Sequence, residues 1–269
     1  MLSFPNGKIN LGLHIVGKRE DGYHNIETVF YPFPIHDVVE IIRSEKFTIS
    51  ISGSAVEGNA HDNLCVKAYL LLKDNFPQIS PVNIYLHKSI PIGAGLGGGS
   101  ADGAFTLMLL NRLFQLNLST GQLIGYASQL GSDCPFFIVN KPSFASGRGE
   151  ILKEIQLDLS GYSFLLVHPD IHIHTSWAFS QPRISEKYSS IKEIIAQPIF
   201  TWKEKLANDF EKVVFEKYPE LKIIKEQLYS AGALYASMTG SGSAFYGIFE
   251  KNNIPSISFE NNFGVFAIK

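Results

Sequence analysis

The segment KINLGLHIV, residues 8–16, alternates apolar and polar side chains, with Ile9, Leu11, Leu13 and Ile15 on one side and Lys8, Asn10, Gly12 and His14 on the other. A period of two predicts a half-buried strand. The turn-forming KREDG that follows predicts a return strand over YHNIETVFYPF, with further strands at DVVEII and FTISIS. NLCVKAYLLLKDNF reads as a helix, with Asp62 placed to cap it and Pro77 to stop it. VNIYLHK alternates again and leads into PIGAGLGGGSADGAF, residues 91–105. Ser100 is placed to cap a long helix over ADGAFTLMLLNRLFQL, and Ser119 a third that stops at Gly131. SFASGRGEILKEI has the form of a short hairpin. A new apolar strand begins within QLDLSGYSFLLVHP; charged helical segments follow around 202–217 and 220–231, then the pair ALYASMT and AFYGIF, joined by GSGS, and a final GVFAIK. Strands and helices mix without strict alternation, which predicts an α+β fold. The change of pattern places a boundary between two domains, 1–157 and 158–269.

Composition narrows the partners. The chain has 269 residues, 45% of them hydrophobic and 18% charged, with a net charge of −2. That balance excludes general disorder and supplies no broad basic field, so nucleic acid is not an expected partner. An anionic ligand must be held by local geometry instead. No apolar run approaches the roughly 20 residues that cross a bilayer, and the N-terminus lacks the basic-then-apolar form of a secretory leader. Cys65 and Cys134 match no disulfide or metal spacing. A reduced, cytoplasmic protein away from membranes is expected. The pattern specifies no oligomeric state.

The glycine loop carries the chemistry. Gly93, Gly95 and Gly98 have the dinucleotide spacing G-x-G-x-x-G. That fingerprint needs a fully buried strand before it and an acid about 20 residues beyond. Here the strand is amphipathic, and no Asp or Glu lies between Asp102 and Asp133. A P-loop fails because Gly99 stands where a lysine is required. What remains is a run of amides ending at a helix N-terminus, where unsatisfied N–H groups and a positive dipole hold polyphosphate and a Cβ would collide with it. Ser100 could cap that helix or bind a magnesium ion carried by the phosphates. The bland alternative, a flexible turn, gives no reason for three successive glycines before a cap.

Other residues have both a structural and a chemical reading. Lys8 on a strand is ordinarily a solvated charge. Asp133, in LGSDCPFFI, is either a helix-end aspartate or a carboxylate that takes a proton from an attacking hydroxyl, with Lys8 stabilising the charge that develops. Tyr23 and His24 follow a turn and either pack beside the hairpin or stack on and hydrogen-bond a flat base. His172 and His174 would share a strand face, but a third metal ligand is missing. Gly240 and Gly242 sit in a tight strand-to-strand loop, which is usually a hairpin turn.

Taken together, KINLGL, the P-x-x-x-G-L-G-G-G-S of Pro91–Ser100 and MTGSGSAF resemble, in this order, the three motifs of the GHMP kinases, the superfamily of galacto-, homoserine, mevalonate and phosphomevalonate kinases. GKINLGLHIVGKREDGYHNIETVF, DNL, PIGAGLGGGSADGA, LGSDCPFF and HPDIHIHT are similar to one branch, whose acceptor is a cytidine-diphosphate derivative of methylerythritol. The resemblance runs from Lys8 to about Phe249. It implies two α+β domains with ATP and substrate in the cleft between them, and Mg²⁺-assisted transfer of a phosphoryl group to the 2-hydroxyl of the methylerythritol unit. By the same resemblance Asp133 is the general base and Lys8 its catalytic partner, while Asn10 contacts the methylerythritol portion. Tyr23 and His24 stack on and read the cytosine, Phe179 is the opposing aromatic, and Thr175 lines the same pocket. Pro91, Gly93, Gly95, Leu96, Gly97, Gly98, Gly99 and Ser100 fall on the phosphate loop; Asn63, Leu64 and Lys88 flank the adenine. Two residues depart from the pattern. Gly103 replaces a common alanine, which should weaken the first helical turn by up to about 1 kcal/mol. Cys134 replaces a β-branched apolar residue beside the base.

Overall fold

A computed structural model describes residues 1–54, 62–181, 190–259 and 263–268. The chain forms two compact units, each assembled from several segments. Met1–Lys8, Pro32–Ile92 and Gly97–Lys141 make the first; Ile9–Tyr31, Gly93–Leu96 and Pro142–Lys269 make the second.

In the first unit, β1 (Leu2–Ser3), β4 (Val38–Arg43), β5 (Thr48–Gly53) and β6 (Val82–Lys88) form a sheet in the order β1-β4-β6-β5. β4 pairs antiparallel with β1 and β6, and β5 runs parallel to β6. The alternation of β6 buries Val82, Ile84, Leu86 and, at the next inward position, Lys88. Helices α1 (Leu64–Asn75), α2 (Gly98–Leu113), α3 (Thr120–Leu130) and α4 (Cys134–Val139) complete the unit.

Their N-termini correct two expectations. Asn63, not Asp62, caps α1, its Oδ1 accepting the Cys65 amide at 2.8 Å. Asn63 is one residue nearer the first helical amides, and Asp62 instead pairs with Lys67 at 3.5 Å. Ser100 does not cap α2. That helix starts at Gly98, with the left-handed Gly97 as an N-cap that makes no side-chain capping bond, so Ser100 is already inside the first turn. Ser119 does cap α3, in a reciprocal box with Gln122, and α3 ends at Gly131.

Gly103 has a packing role that its helix propensity hides. A Cβ there would stand 2.9 Å from Leu64 Cβ and 3.4 Å from Leu64 O. Its absence lets α2 press against α1, which the propensity argument omits.

In the second unit, β9 (Tyr162–His168), β10 (Tyr235–Met238), β11 (Phe245–Glu250) and β12 (Gly264–Ile268) form an antiparallel sheet in the order β10-β11-β9-β12. α7 (Phe210–Lys217) and α8 (Pro219–Ser230) contribute Phe210, Leu221 and Ile224 to its core, with Leu165 and Phe245 from the sheet. A second sheet runs β2-β3-β7-β8, from β2 (Asn6–Lys18), β3 (His24–His36), β7 (Ser143–Ser146) and β8 (Ile151–Glu154). Strands β2 and β3 each begin in one unit and end in the other. β7 and β8 are the expected hairpin. α5 (Thr175–Ser180) and α6 (Ile191–Ile195) are short.

Three further expectations change. β2 is not half-buried: every residue from Asn6 to Ile15 is buried. Its polar side is lined with bonded groups rather than water. The helical segment expected at 202–217 divides into a 3₁₀ turn, Ile199–Glu204, and α7. It breaks because Leu13 donates to Ala207 O and accepts from the Asp209 amide, both at 2.9 Å, which takes the intervening backbone out of the helix. Finally, His172 and His174 lie outside any strand, in the stretch that leads into α5. Their rings meet edge to face at 4.5 Å.

Candidate functional site

Lys8 and Asp133 come together in the first unit. Lys8 is 3% exposed on β2, and its Nζ stands 3.6 Å from Asp133 Oδ2. Burial holds the Lys8 ammonium below its ordinary value, and the Asp133 charge and hydrogen bond oppose that shift. Asp133 occupies the N-cap position of α4, yet its side chain makes no capping bond. The carboxylate, 31% exposed, therefore projects beside the ammonium with one side toward solvent.

The glycine loop closes against this pair. At Gly97 (φ 71°) a Cβ would meet Phe137 Cζ at 2.9 Å and Lys8 Cγ at 3.2 Å, so the loop crosses directly over the lysine stem. Behind it, a Cβ on Gly98 would stand 3.0 Å from Ile90 Cγ2. Gly99 differs: beyond its chain neighbours and its own helix backbone, a Cβ there meets no atom of the described residues within 4 Å. Packing therefore explains the first two glycines, and the third leaves the loop open to whatever approaches it. Ser100 shares a hydrogen bond with Cys134, whose thiol is pushed up to about 12 by burial above all. Cys134 thus packs and bonds behind the loop as a neutral group.

The three residues expected near an adenine are placed but already engaged in part. Asn63 caps α1, Leu64 packs against Gly103, and the Lys88 ammonium is held by Asp37 and Asp102.

The earlier residues of the loop are organised within the second unit. Thr239 Oγ1 donates to Gly95 O at 3.1 Å and accepts from the Asn10 amide at 3.1 Å. A Cβ on Gly95 would run into Thr239 O. Asn10 is bound on several sides: its Nδ2 donates to Thr28 Oγ1 at 3.0 Å and its carbonyl accepts from Tyr246 at 2.7 Å. Leu96 is buried, and Pro91 is half-buried in the first unit. His172 lies over Gly93, its Nδ1 2.5 Å from where a Cβ would be. The histidine pair is therefore part of the loop's packing, and among the described residues no His, Cys, Asp or Glu cluster has the form of a metal site.

The aromatic residues gather in the same unit. His24 stacks on Phe179 with centroids 5.7 Å apart and planes 26° apart, and Phe179 meets Phe210 edge to face at 4.7 Å. A gap of 5.7 Å holds no base between those rings. His24 is 8% exposed, and its Nδ1 is buried without a partner among the described residues. Burial, and then Lys18, lower its pKa and favour the neutral ring. Tyr23 is exposed, with the Arg148 guanidinium 5.0 Å above its ring. Thr175 bonds Ser241 at 3.1 Å and shares a face of α5 with Phe179, four residues on.

Asp37, Asp102, Thr239, Phe137 and Arg148 escaped the sequence reading. Only Asp37 and Asp102 left a signal: the inward position of Lys88 on β6 demands buried carboxylates.

Comparison with known proteins gives the class first. Residues 63–141 match the GHMP kinases N terminal domain, and residues 178–260 match GHMP kinases C terminal. A Bacteroides fragilis 4-diphosphocytidyl-2-C-methyl-D-erythritol kinase is 52% identical over 268 residues, 98% of this chain and 97% of that one. Its counterpart from Bacteroides thetaiotaomicron is 51% identical over 100% of this chain and 99% of its own. A crystal structure of 4-(cytidine 5'-diphospho)-2C-methyl-D-erythritol kinase superposes with a TM-score of 0.79 at 30% identity, over 92% of this chain and 90% of the other. The chain belongs to the 4-diphosphocytidyl-2-C-methyl-D-erythritol kinases, within the GHMP kinases. Homoserine kinase from Cytophaga hutchinsonii shares the fold, with a TM-score of 0.69 at 15% identity over 100% of this chain and 93% of its own.

Proposed function

We propose that this chain transfers the γ-phosphoryl group of ATP to the 2-hydroxyl of 4-diphosphocytidyl-2-C-methyl-D-erythritol, giving the 2-phosphate and ADP in the methylerythritol phosphate route to isoprenoids. The observation that carries this reading is the crossing of Gly97 over the Lys8 stem. It sets a lysine–carboxylate pair at the mouth of a helix whose N-cap residue, Gly97, has no side chain to cap its amides.

Phosphoryl transfer asks little covalent chemistry of a protein and much positioning. The amides of Gly98, Gly99 and Ser100 hold the triphosphate, and the open face of Gly99 lets it come close. Asp133 accepts the proton of the attacking hydroxyl, for which its solvent-facing side leaves access. Lys8 directs its ammonium at the oxygen where charge develops, in surroundings that strengthen the interaction. Asn63 and Leu64 border the adenine, while the Lys88 ammonium stays behind the loop, held by Asp37 and Asp102.

The Ser100 hydroxyl is a hard oxygen donor of the kind Mg²⁺ accepts, and the described residues build no protein cage for an ion. Those features fit an ion carried in by the nucleotide, where it neutralises charge on the phosphate oxygens.

On the acceptor side, Tyr23 and Phe179 offer ring faces to cytosine, and the unpartnered Nδ1 of His24 reads its edge. Asn10 and Thr175 belong to the same binding surface. The buried free thiols Cys65 and Cys134 fit a reducing cytoplasm, and no described helix is long and apolar enough to cross a membrane.

The test is an ADP-release assay with the cytidine-diphosphate methylerythritol acceptor. Activity with it, and none with homoserine or mevalonate, is expected. Asp133→Asn should lower kcat by about 10²–10⁴-fold with the fold intact. Near-normal turnover in that variant would overturn the mechanism.

A further inference from the structure

The reaction outlined above makes no use of the charges buried beneath the phosphate loop. Lys88 is the last inward residue of β6, and its Nζ donates to Asp37 Oδ2 and, at 2.7 Å, to Asp102 Oδ2. Asp37 is fully buried, and its Oδ1 accepts the amides of Ser89 at 2.6 Å and Ile90 at 2.8 Å. Asp102 lies in the second turn of α2, with Oδ1 buried and without a hydrogen-bond partner among the described residues. A Cβ on Gly98 would stand 3.3 Å from Lys88 Nζ, so the ammonium sits directly behind the first residue of the helix. One cluster thus ties together the residue before β4, the end of β6, the entry to the glycine loop and the start of α2.

Stability is a weak reason for such a cluster. Two carboxylates face one ammonium out of reach of water, and burial pushes the Asp102 carboxyl up to about 7, with Lys88 pulling against it. Apolar residues of similar volume often stabilise a fold as well as a buried ion network does. What the network adds is direction, because each charged hydrogen bond fixes both a distance and an angle. That direction is imposed on a backbone segment whose amides must meet phosphate oxygens within a few tenths of an ångström.

We propose that Asp37 and Asp102, acting through Lys88 and the Ser89–Ile90 amides, are positioning residues for the phosphoryl donor that fix the height and tilt of the N-terminus of α2. The proposal rests on the reading of Gly97–Ser100 as the phosphate cradle. Neither carboxylate touches the reacting atoms. A brace with a purely structural role would, when weakened, affect both substrates alike. A brace with a positioning role weakens the nucleotide alone.

Asp102→Asn keeps the shape and an acceptor for Lys88 while removing the charge; Asp102→Ser removes the carboxyl group altogether. For the full chain, KM for ATP and the Kd of ADP by calorimetry should rise about tenfold in D102N and further in D102S. KM for the acceptor should stay within twofold of wild type in both. Should one variant fail to fold, the other decides. An unchanged KM for ATP in a folded variant overturns the proposal, as does an equal rise in both KM values. Wild-type protein that ATP does not saturate would overturn the cradle reading and this proposal with it. Saturable wild type with indifferent variants overturns this proposal only.

Discussion

Gly99 separates what a residue does for the fold from what it does for a ligand. A methyl group on Gly97 would press on Phe137 and one on Gly98 on Ile90, whereas beyond its own helix backbone a Cβ on Gly99 meets no atom of the described residues within 4 Å. Alanine is also the better helix former, by up to about 1 kcal/mol. Gly99→Ala should therefore leave the melting temperature unchanged or slightly raised. If phosphate approaches this amide, the same methyl should raise KM for ATP about tenfold. A variant with unaltered ATP kinetics would remove Gly99 from the cradle. Residue chemistry of this kind was legible in the sequence, where the run of glycines before a helix already implied a close anion. The partners of those residues were not. Nothing near Gly95 in the chain announces Thr239, and the inward position of Lys88 calls for a buried carboxylate without saying that Asp37 supplies it. Such pairs exist only once distant segments meet.

Elements were more legible than their ends. The alternation in β2 and β6, the capping box of α3 and the hairpin of β7 and β8 all follow local rules. Two kinds of reading failed for physical reasons. The polar side of β2 looked solvated because alternation cannot tell water from a bonded partner such as Thr28 or Thr239. Ser100 looked like a cap because side-chain type alone does not fix which residue leaves the helical conformation. At the contact of α1 with α2, two local terms oppose one another at Gly103. Alanine gains up to about 1 kcal/mol of helix propensity, but its methyl stands 2.9 Å from Leu64 Cβ, and overpacking costs about 1–3 kcal/mol. Leu64 Cβ lies close to its own backbone and cannot swing away as a side-chain tip would. Packing should prevail. Gly103→Ala is expected to lower stability by about 1 kcal/mol in chemical denaturation, and a more stable variant would show that α1 and α2 yield more readily than the spacing suggests.

At the scale of the molecule, the two units carry different parts of the proposed chemistry. Lys8, Asp133 and Gly97–Ser100 belong to the first, and Tyr23, His24, Thr175 and Phe179 to the second. Substitutions should then separate in the kinetics according to the unit they fall in. Phe179→Ala removes the ring stacked on His24 and the edge contact with Phe210. Stacking of one base on an aromatic ring contributes about 1–3 kcal/mol. A loss near the middle of that range raises KM for the cytidine-diphosphate acceptor by roughly tenfold or more, since about 1.4 kcal/mol is a factor of ten. ATP does not depend on this ring in the proposed assignment, so its KM should remain within twofold of wild type. Turnover at saturating acceptor should also change little, because Lys8 and Asp133 keep their places. Steady-state kinetics with each substrate varied in turn reads all three quantities. A parallel rise in KM for ATP would mean that Phe179 supports the protein as a whole, and base recognition would have to be sought at Tyr23 and Arg148 instead.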